Sequence, residues 1–263
     1  MIRDITIGQY YPVSSLVHKL DPRTKILITF IYIISLFFIT YLPGYAFVVL
    51  FLYAVISLSH VPLHFILKGL KGIAFILLFT LVLNVFFTPG GKVYYEWGII
   101  NITELGVKTA VMMGTRLILL IVGSSLLTLT TSPIELTDGI ESLLNPFRKI
   151  GIPAHEIAMM MSIALRFIPI LLEETDKIMK AQMARGADFE TGNIIKRAKS
   201  MIPIMVPLFI SAFRRAEELA MAMEARCYRG GVGRTRMNKL QYNKQDVYAF
   251  IVGGLFMIGC VLL

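Results

Sequence analysis

Two arginines sit at matching places in a repeated stretch of this 263-residue chain. Residues 171–186 align without gaps on residues 212–227, and each copy closes on Ala-Arg and one small residue: Ala184-Arg185-Gly186, then Ala225-Arg226-Cys227. Leu172 corresponds with Phe213, Asp176 with Glu217, Ile178 with Leu219 and Ala181 with Ala222, apolar on apolar and acid on acid. A guanidinium in the last turn of a helix lies beside unpaired carbonyls and the negative end of the macrodipole, so it is stabilised locally. At an exposed tip, followed by a residue small enough for close approach, the same planar fork can be aimed at carboxylates on another protein. Capping accounts for one such triplet; its recurrence within one polar segment of an apolar chain favours docking.

Other residues with chemical potential narrow the choice. Met159, Met160, Met161, Leu165, Ile168, Leu171 and Leu172 give one stretch an adhesive face. Thioethers without cysteine suit few metals, whereas methionine fills irregular, exchangeable contacts, so this face reads as a packing surface. His155-Glu156 resembles the start of a zinc-protease helix, but position 159 is Met where the second histidine would stand. Cys227 and Cys260 are the only cysteines and supply neither a disulfide framework nor a thiolate metal site. No Gly-x-x-x-x-Gly-Lys-Ser/Thr phosphate loop occurs, so ATP has no binding loop in this chain. Arg116 lies within an apolar run, where a charge is a functional candidate by default; snorkelling or an internal hydrogen bond competes with that role.

The elements that carry these residues belong to a membrane protein. Hydrophobic residues make up 56% and charged residues 16%, with mean hydropathy +0.70, far more apolar than a soluble domain with about 25% charged residues. The net charge of +9 is segregated, residues 173–244 holding about half of the 26 Lys and Arg. Such a balance reports basic segments beside a bilayer and anionic lipid, not a nucleic-acid surface.

In order, Leu20-Asp21-Pro22-Arg23-Thr24-Lys25 reads as an N-cap, a first-turn proline and two headgroup charges ahead of an apolar run over 26–40. Further runs cover 45–58, 72–88, 106–131 and 246–263, with residues 60–71 a polar connection holding Lys68 and Lys71. The first two runs are short against the roughly 20 residues that cross about 30 Å of hydrocarbon. Val93, Tyr94, Tyr95, Trp97, Ile99 and Ile100 read as a small hairpin or an interfacial segment. Ser132-Pro133-Ile134-Glu135 is a capping-box start, and Asn145-Pro146 a stop. A long helix over 154–184 is expected to kink or divide at Pro169, and Pro203 and Pro207 to break the segment 194–213. The expectation is an all-α integral membrane protein of about five spans: a four-span membrane domain (1–131), an interfacial coupling region (132–245) and a last span (246–263). The distribution of Lys and Arg puts the N-terminus, the 60–71 connection and the coupling region in the cytoplasm of a cell-membrane protein.

The chain resembles the transmembrane (T) subunits of energy-coupling factor transporters, importers of vitamins and transition metals. The resemblance runs through His18-Lys19-Leu20-Asp21-Pro22-Arg23-Thr24-Lys25, Thr131-Ser132-Pro133-Ile134-Glu135-Leu136, Glu156-Ile157-Ala158-Met159-Met160, Ala164-Leu165-Arg166-Phe167-Ile168-Pro169 and Ala181-Gln182-Met183-Ala184-Arg185-Gly186. It implies that Ala184, Arg185, Gly186, Ala225, Arg226 and Cys227 end two coupling helices, each docking on an acidic groove of one of two ATPase subunits. It implies further that Met159, Met160, Met161 and Leu165 hold a membrane-embedded substrate-binding (S) subunit. The chain would then be no enzyme, with ATP and Mg bound by the partner ATPases and no cofactor or metal of its own.

Overall fold

A computed structural model describes residues 10–90, 92–97, 100–151, 153–189, 193–230 and 240–262. Helices α1 (Pro22–Phe38), α2 (Leu42–Ser59) and α3 (Leu63–Phe87) come first. A two-stranded antiparallel hairpin, β1 (Val93–Trp97) with β2 (Ile100–Thr103), leads into α4 (Glu104–Thr130). Then follow α5 (Pro133–Leu144), a 3-10 helix (Asn145–Ile150), α6 (Ala154–Ala184), α7 (Ile194–Ser200), α8 (Ile202–Ala225) and α9 (Lys244–Leu262). The protein is an all-α multi-pass membrane protein. Five described helices, α2, α3, α4, α6 and α9, are long and apolar enough to cross a bilayer. The 17 residues of α1 make a rod of about 25 Å, short of the roughly 30 Å of hydrocarbon.

Local chemistry explains where these helices start and stop. The Asp21 carboxylate accepts the Arg23 N–H at 2.9 Å as the N-cap of α1, with Pro22 in the first turn. At α5 the capping box is complete: Ser132 Oγ accepts the Glu135 N–H at 3.3 Å, and Glu135 Oε2 accepts the Ser132 N–H at 3.1 Å. Where a polar connection is expected, the structure continues helix: α3 begins at Leu63 and includes Lys68 and Lys71. The breakers are the left-handed His60 and Val61-Pro62, and lysine is a good helix former once the chain is past them. Likewise α6 runs unbroken through Pro169 and α8 through Pro207; the break in the 194–213 segment falls at Met201, just before Pro203. Pro203 lies in the first turn of α8, where a missing N–H costs nothing.

The described residues form two compact units, 10–139 with 240–262 and 140–230. The first has its core between α1, α2, α4 and α9, around Leu36, Ile39, Val48, Leu52, Leu119, Leu126, Leu129 and Cys260. Phe256 of α9 stacks on Tyr32, Phe47 and Phe51, the last with centroids 4.1 Å apart. Tyr32 also donates its hydroxyl to the Leu119 carbonyl at 2.7 Å, and its ring lies so close to Gly123 that a Cβ there would collide with it. A glycine is required at that crossing of α1 and α4, as at many close approaches of membrane helices.

Where α1 and α9 begin and α4 ends, a polar cluster closes the first unit. Asp246 Oδ1 accepts the Asp21 N–H at 2.8 Å, and its Oδ2 accepts the Asn243 N–H at 2.7 Å. Arg23 pairs with Asp21 at 2.8 Å and lies 3.9 Å over the Tyr242 ring. Lys25, expected among headgroups, is instead 6% exposed and donates to the carbonyls of His18 and Thr130, both at 2.9 Å. Its ammonium satisfies carbonyl oxygens at the end of α4 and in the lead segment, a use that sequence spacing does not reveal.

His18 contacts Ser15 Oγ at 2.7 Å and the Tyr11 carbonyl at 3.0 Å through its two ring nitrogens. Burial holds this imidazole below its ordinary value of 6.5, against the opposing hydrogen bond to Tyr11. The unfolded chain therefore binds a proton near pH 6.5 that the folded chain resists. Stability is full above that value and declines as the pH falls through it. Thermal melting of the detergent-solubilised protein from about pH 8 to about pH 5.5 is expected to show this loss, and His18→Gln to reduce it.

Candidate docking site

The second unit is built mainly from α6 and α8, and the two arginine triplets end these helices. Arg185 and Arg226 are the C-cap residues, each exposed. The residue after each turns left-handed, Gly186 at φ +87° and Cys227 at φ +54°. Around the first tip the Gly186 N–H bonds to the Met183 carbonyl and the Ala187 N–H to the Gln182 carbonyl, at 2.9 and 3.0 Å. Around the second, the Cys227 N–H bonds to Glu224 and the Tyr228 N–H to Met223, at 2.8 and 3.0 Å. Both ends are Schellman motifs, so the two copies match in hydrogen-bond pattern as well as in sequence.

This pattern gives the small third residue a second reason besides close approach. Glycine takes the left-handed conformation freely, whereas a residue with a Cβ is strained there by about 1–2 kcal/mol. Cys227→Gly is expected to raise the melting temperature of the solubilised chain, and Gly186→Val to lower it by a comparable or larger amount, read by the same thermal scan.

An ion pair joins the helices: Arg215 Nη2 of α8 lies 3.5 Å from Glu174 Oε2 of α6. In the gapless alignment of the two copies, Glu174 and Arg215 are equivalent positions. A second link joins His155, at the start of α6, to Tyr228, just past the end of α8, at 3.3 Å. From the ion pair to this link the chain runs backward along α6 and forward along α8, so the helices run in opposite senses. Contact between equivalent residues of oppositely directed copies marks a local pseudo-two-fold axis. Arg185 lies eleven positions beyond Glu174 and Arg226 eleven positions beyond Arg215, so each arginine tip stands about 16 Å beyond the pair, on opposite sides of it. Sequence reasoning found the tips and the repeat but missed the Glu174–Arg215 crossing. The signal was available in the opposite charges at equivalent positions.

The methionine face belongs to α6. Met160 and Met161 are 59% and 37% exposed, while Met159 and Leu165 are partly buried. Helix α8 adds a stripe that the sequence reading did not single out, Met205, Val206, Phe209, Ile210 and Phe213, all more than half exposed and spaced at three and four residues. His155 Nδ1 lies 3.1 Å from Glu141 Oε1. Among the described residues no group of three His, Cys, Asp or Glu side chains could hold a metal ion.

Arg116 of α4 has a structural assignment in the first unit. Its guanidinium donates to the carbonyl of Ile39, the C-cap of α1, at 3.0 Å and to the Tyr45 hydroxyl at 3.2 Å, with the Phe37 ring 5.5 Å away. The half-buried charge satisfies a helix-end carbonyl at the α1–α2 turn.

Comparison with known proteins covers nearly the whole chain. The family model CbiQ, described as cobalt transport protein, matches residues 13–238. A protein of Thermosediminibacter oceani named energy-coupling factor transporter transmembrane protein EcfT is 59% identical over 261 residues, 99% of this chain and 98% of the relative. The protein of the same name from Clostridium kluyveri is 60% identical over 250 residues, 95% of this chain and 93% of the relative. That of Bacillus subtilis is 49% identical over 251 residues, 95% of both chains.

Proposed function

From the premise that this chain belongs to the family of energy-coupling factor transporter transmembrane proteins, we propose that it transmits the motion of two ATPase subunits to a substrate-binding S subunit in the membrane. The observation that carries this reading is the pair of matched arginine tips. Two helix ends with the same hydrogen-bond pattern, set at equal lengths on opposite sides of a pseudo-two-fold contact, suit two similar partners that are themselves paired.

Each exposed guanidinium offers a planar fork to carboxylates of one ATPase subunit, with Ala184, Gly186, Ala225 and Cys227 allowing the backbone to approach. ATP and Mg are held by those subunits, and this chain contributes no catalytic group. The excess of Lys and Arg in this region supports a cytoplasmic position for the two arginine tips, on the side of the cell membrane where ATPases would bind. Met159, Met160, Met161 and Leu165 form the adaptable apolar surface for the S subunit, whose identity sets the vitamin or other micronutrient imported. When nucleotide closes the ATPase pair, the arginine-tipped arms shift about their crossing, and the surface that holds the S subunit shifts with them.

Purification of the tagged chain from its native membrane in mild detergent tests the proposal. The expected result is recovery of an ATPase pair with at least one small membrane protein, and ATP hydrolysis by the assembly. A chain that emerges alone and moves a solute in liposomes by itself would overturn it.

A further inference from the structure

The two arginine tips share a backbone pattern but differ in the residue that follows it. Ala187 comes next after Gly186, and Tyr228 after Cys227. The Tyr228 hydroxyl lies 3.3 Å from His155 Nε2, and His155 Nδ1 lies 3.1 Å from Glu141 Oε1. A carboxylate only accepts, so Nδ1 carries the proton toward Glu141; Nε2 accepts the Tyr228 O–H when it is bare and donates to the Tyr228 oxygen when it carries a proton, so the link holds in either form. His155 and Glu141 are each less than one-fifth exposed, which favours fixed geometry over a fluctuating surface contact. The methyl group of Ala187 has no atom able to make such a link at the first tip.

We propose that Tyr228 is a positioning residue for Arg226: through His155 and Glu141 it ties the second arginine tip to the start of α6 and the end of α5, a link that the residue at the matching place of the first tip, Ala187, does not make. Tyr228 makes the final hydrogen bond of the Schellman motif through its own N–H, so a side chain fixed at this place fixes the loop that presents Arg226. The same link joins that tip to α5, the helix that leads directly from α4. Displacement of the Arg226 tip is thereby delivered to α5 as well as to α8, whereas at the Arg185 tip the corresponding position offers no hydroxyl for such a route. The inference rests on the reading of these tips as ATPase-docking points.

The test is a set of variants in the complete complex, with the full-length chain co-expressed with its ATPase pair and S subunit, and ATPase retention measured on the detergent-solubilised assembly. Arg226→Ala and Arg185→Ala are each expected to weaken retention. Tyr228→Phe, which keeps the ring and removes only the hydroxyl, should lower the apparent affinity by about three- to tenfold in the wild-type and Arg185→Ala backgrounds. It should cause no further loss in the Arg226→Ala background, because Tyr228 acts through Arg226. Glu141→Leu should repeat this dependence from the other end of the link. Equal losses in all three backgrounds, or no loss in the wild type, overturn the positioning role. No weakening by either arginine variant overturns the docking reading, and this inference with it.

Discussion

Reversing both tip charges, Arg185→Glu with Arg226→Glu, is expected to abolish recovery of the ATPase subunits with this chain and to reduce transport to background. Each arginine is exposed in the isolated chain, so the reversal costs little in folding; its effect appears on assembly. Removing one partner of a desolvated, hydrogen-bonded charge pair weakens binding by about 2–5 kcal/mol, roughly 30- to 4000-fold, and reversal adds repulsion between like charges. The two tips stand on opposite sides of the α6–α8 crossing and share no side-chain contact, so their effects should add. Each single reversal is expected to leave partial assembly and the double reversal none. Pull-down of the ATPase pair, with yield and melting temperature of the variant chain measured alongside, separates lost docking from lost folding. Undiminished assembly and transport in the double variant would rule out the arginines as docking residues.

The repeat, the arginine tips and the helix starts were legible because each rests on local chemistry. The capping box at Ser132 and Glu135, the Asp21 cap and the stop at Asn145-Pro146 involve residues within a few positions of one another, and the structure places them as their spacing requires. The start of α3 was misread because Lys68 and Lys71 look polar, although nothing after Pro62 interrupts a helix. Proline sets where a helix is weakened but not whether it ends: α6 and α8 continue through Pro169 and Pro207, while the 194–213 segment breaks at Met201. Contacts between distant residues left no such trace. Arg116 with Ile39, Lys25 with Thr130 and His155 with Tyr228 join residues 77, 105 and 73 positions apart, and no local periodicity announces them. Glu174 and Arg215 are the exception, because the internal repeat gives distant positions a shared frame and their opposite charges stand in register within it.

Asp246→Ala is expected to be the most destabilising single change in the first unit. The Asp246 carboxylate is 1% exposed and serves two helix starts: one oxygen accepts the N–H of Asp21, the N-cap of α1, and the other the N–H of Asn243, just ahead of α9. Helix N-termini carry unpaired donors and partial positive charge, so one anion between two of them is favoured twice. Alanine leaves both donors without an acceptor, and each buried unsatisfied group costs about 1–3 kcal/mol, about 2–6 kcal/mol in all. Asn at this position retains one accepting oxygen and turns an amide N–H₂ toward the other donor, so Asp246→Asn should lose roughly half to all of that amount. Thermal unfolding of the solubilised chain reads both variants, and a wild-type melting temperature for Asp246→Ala would show that the bridge contributes nothing.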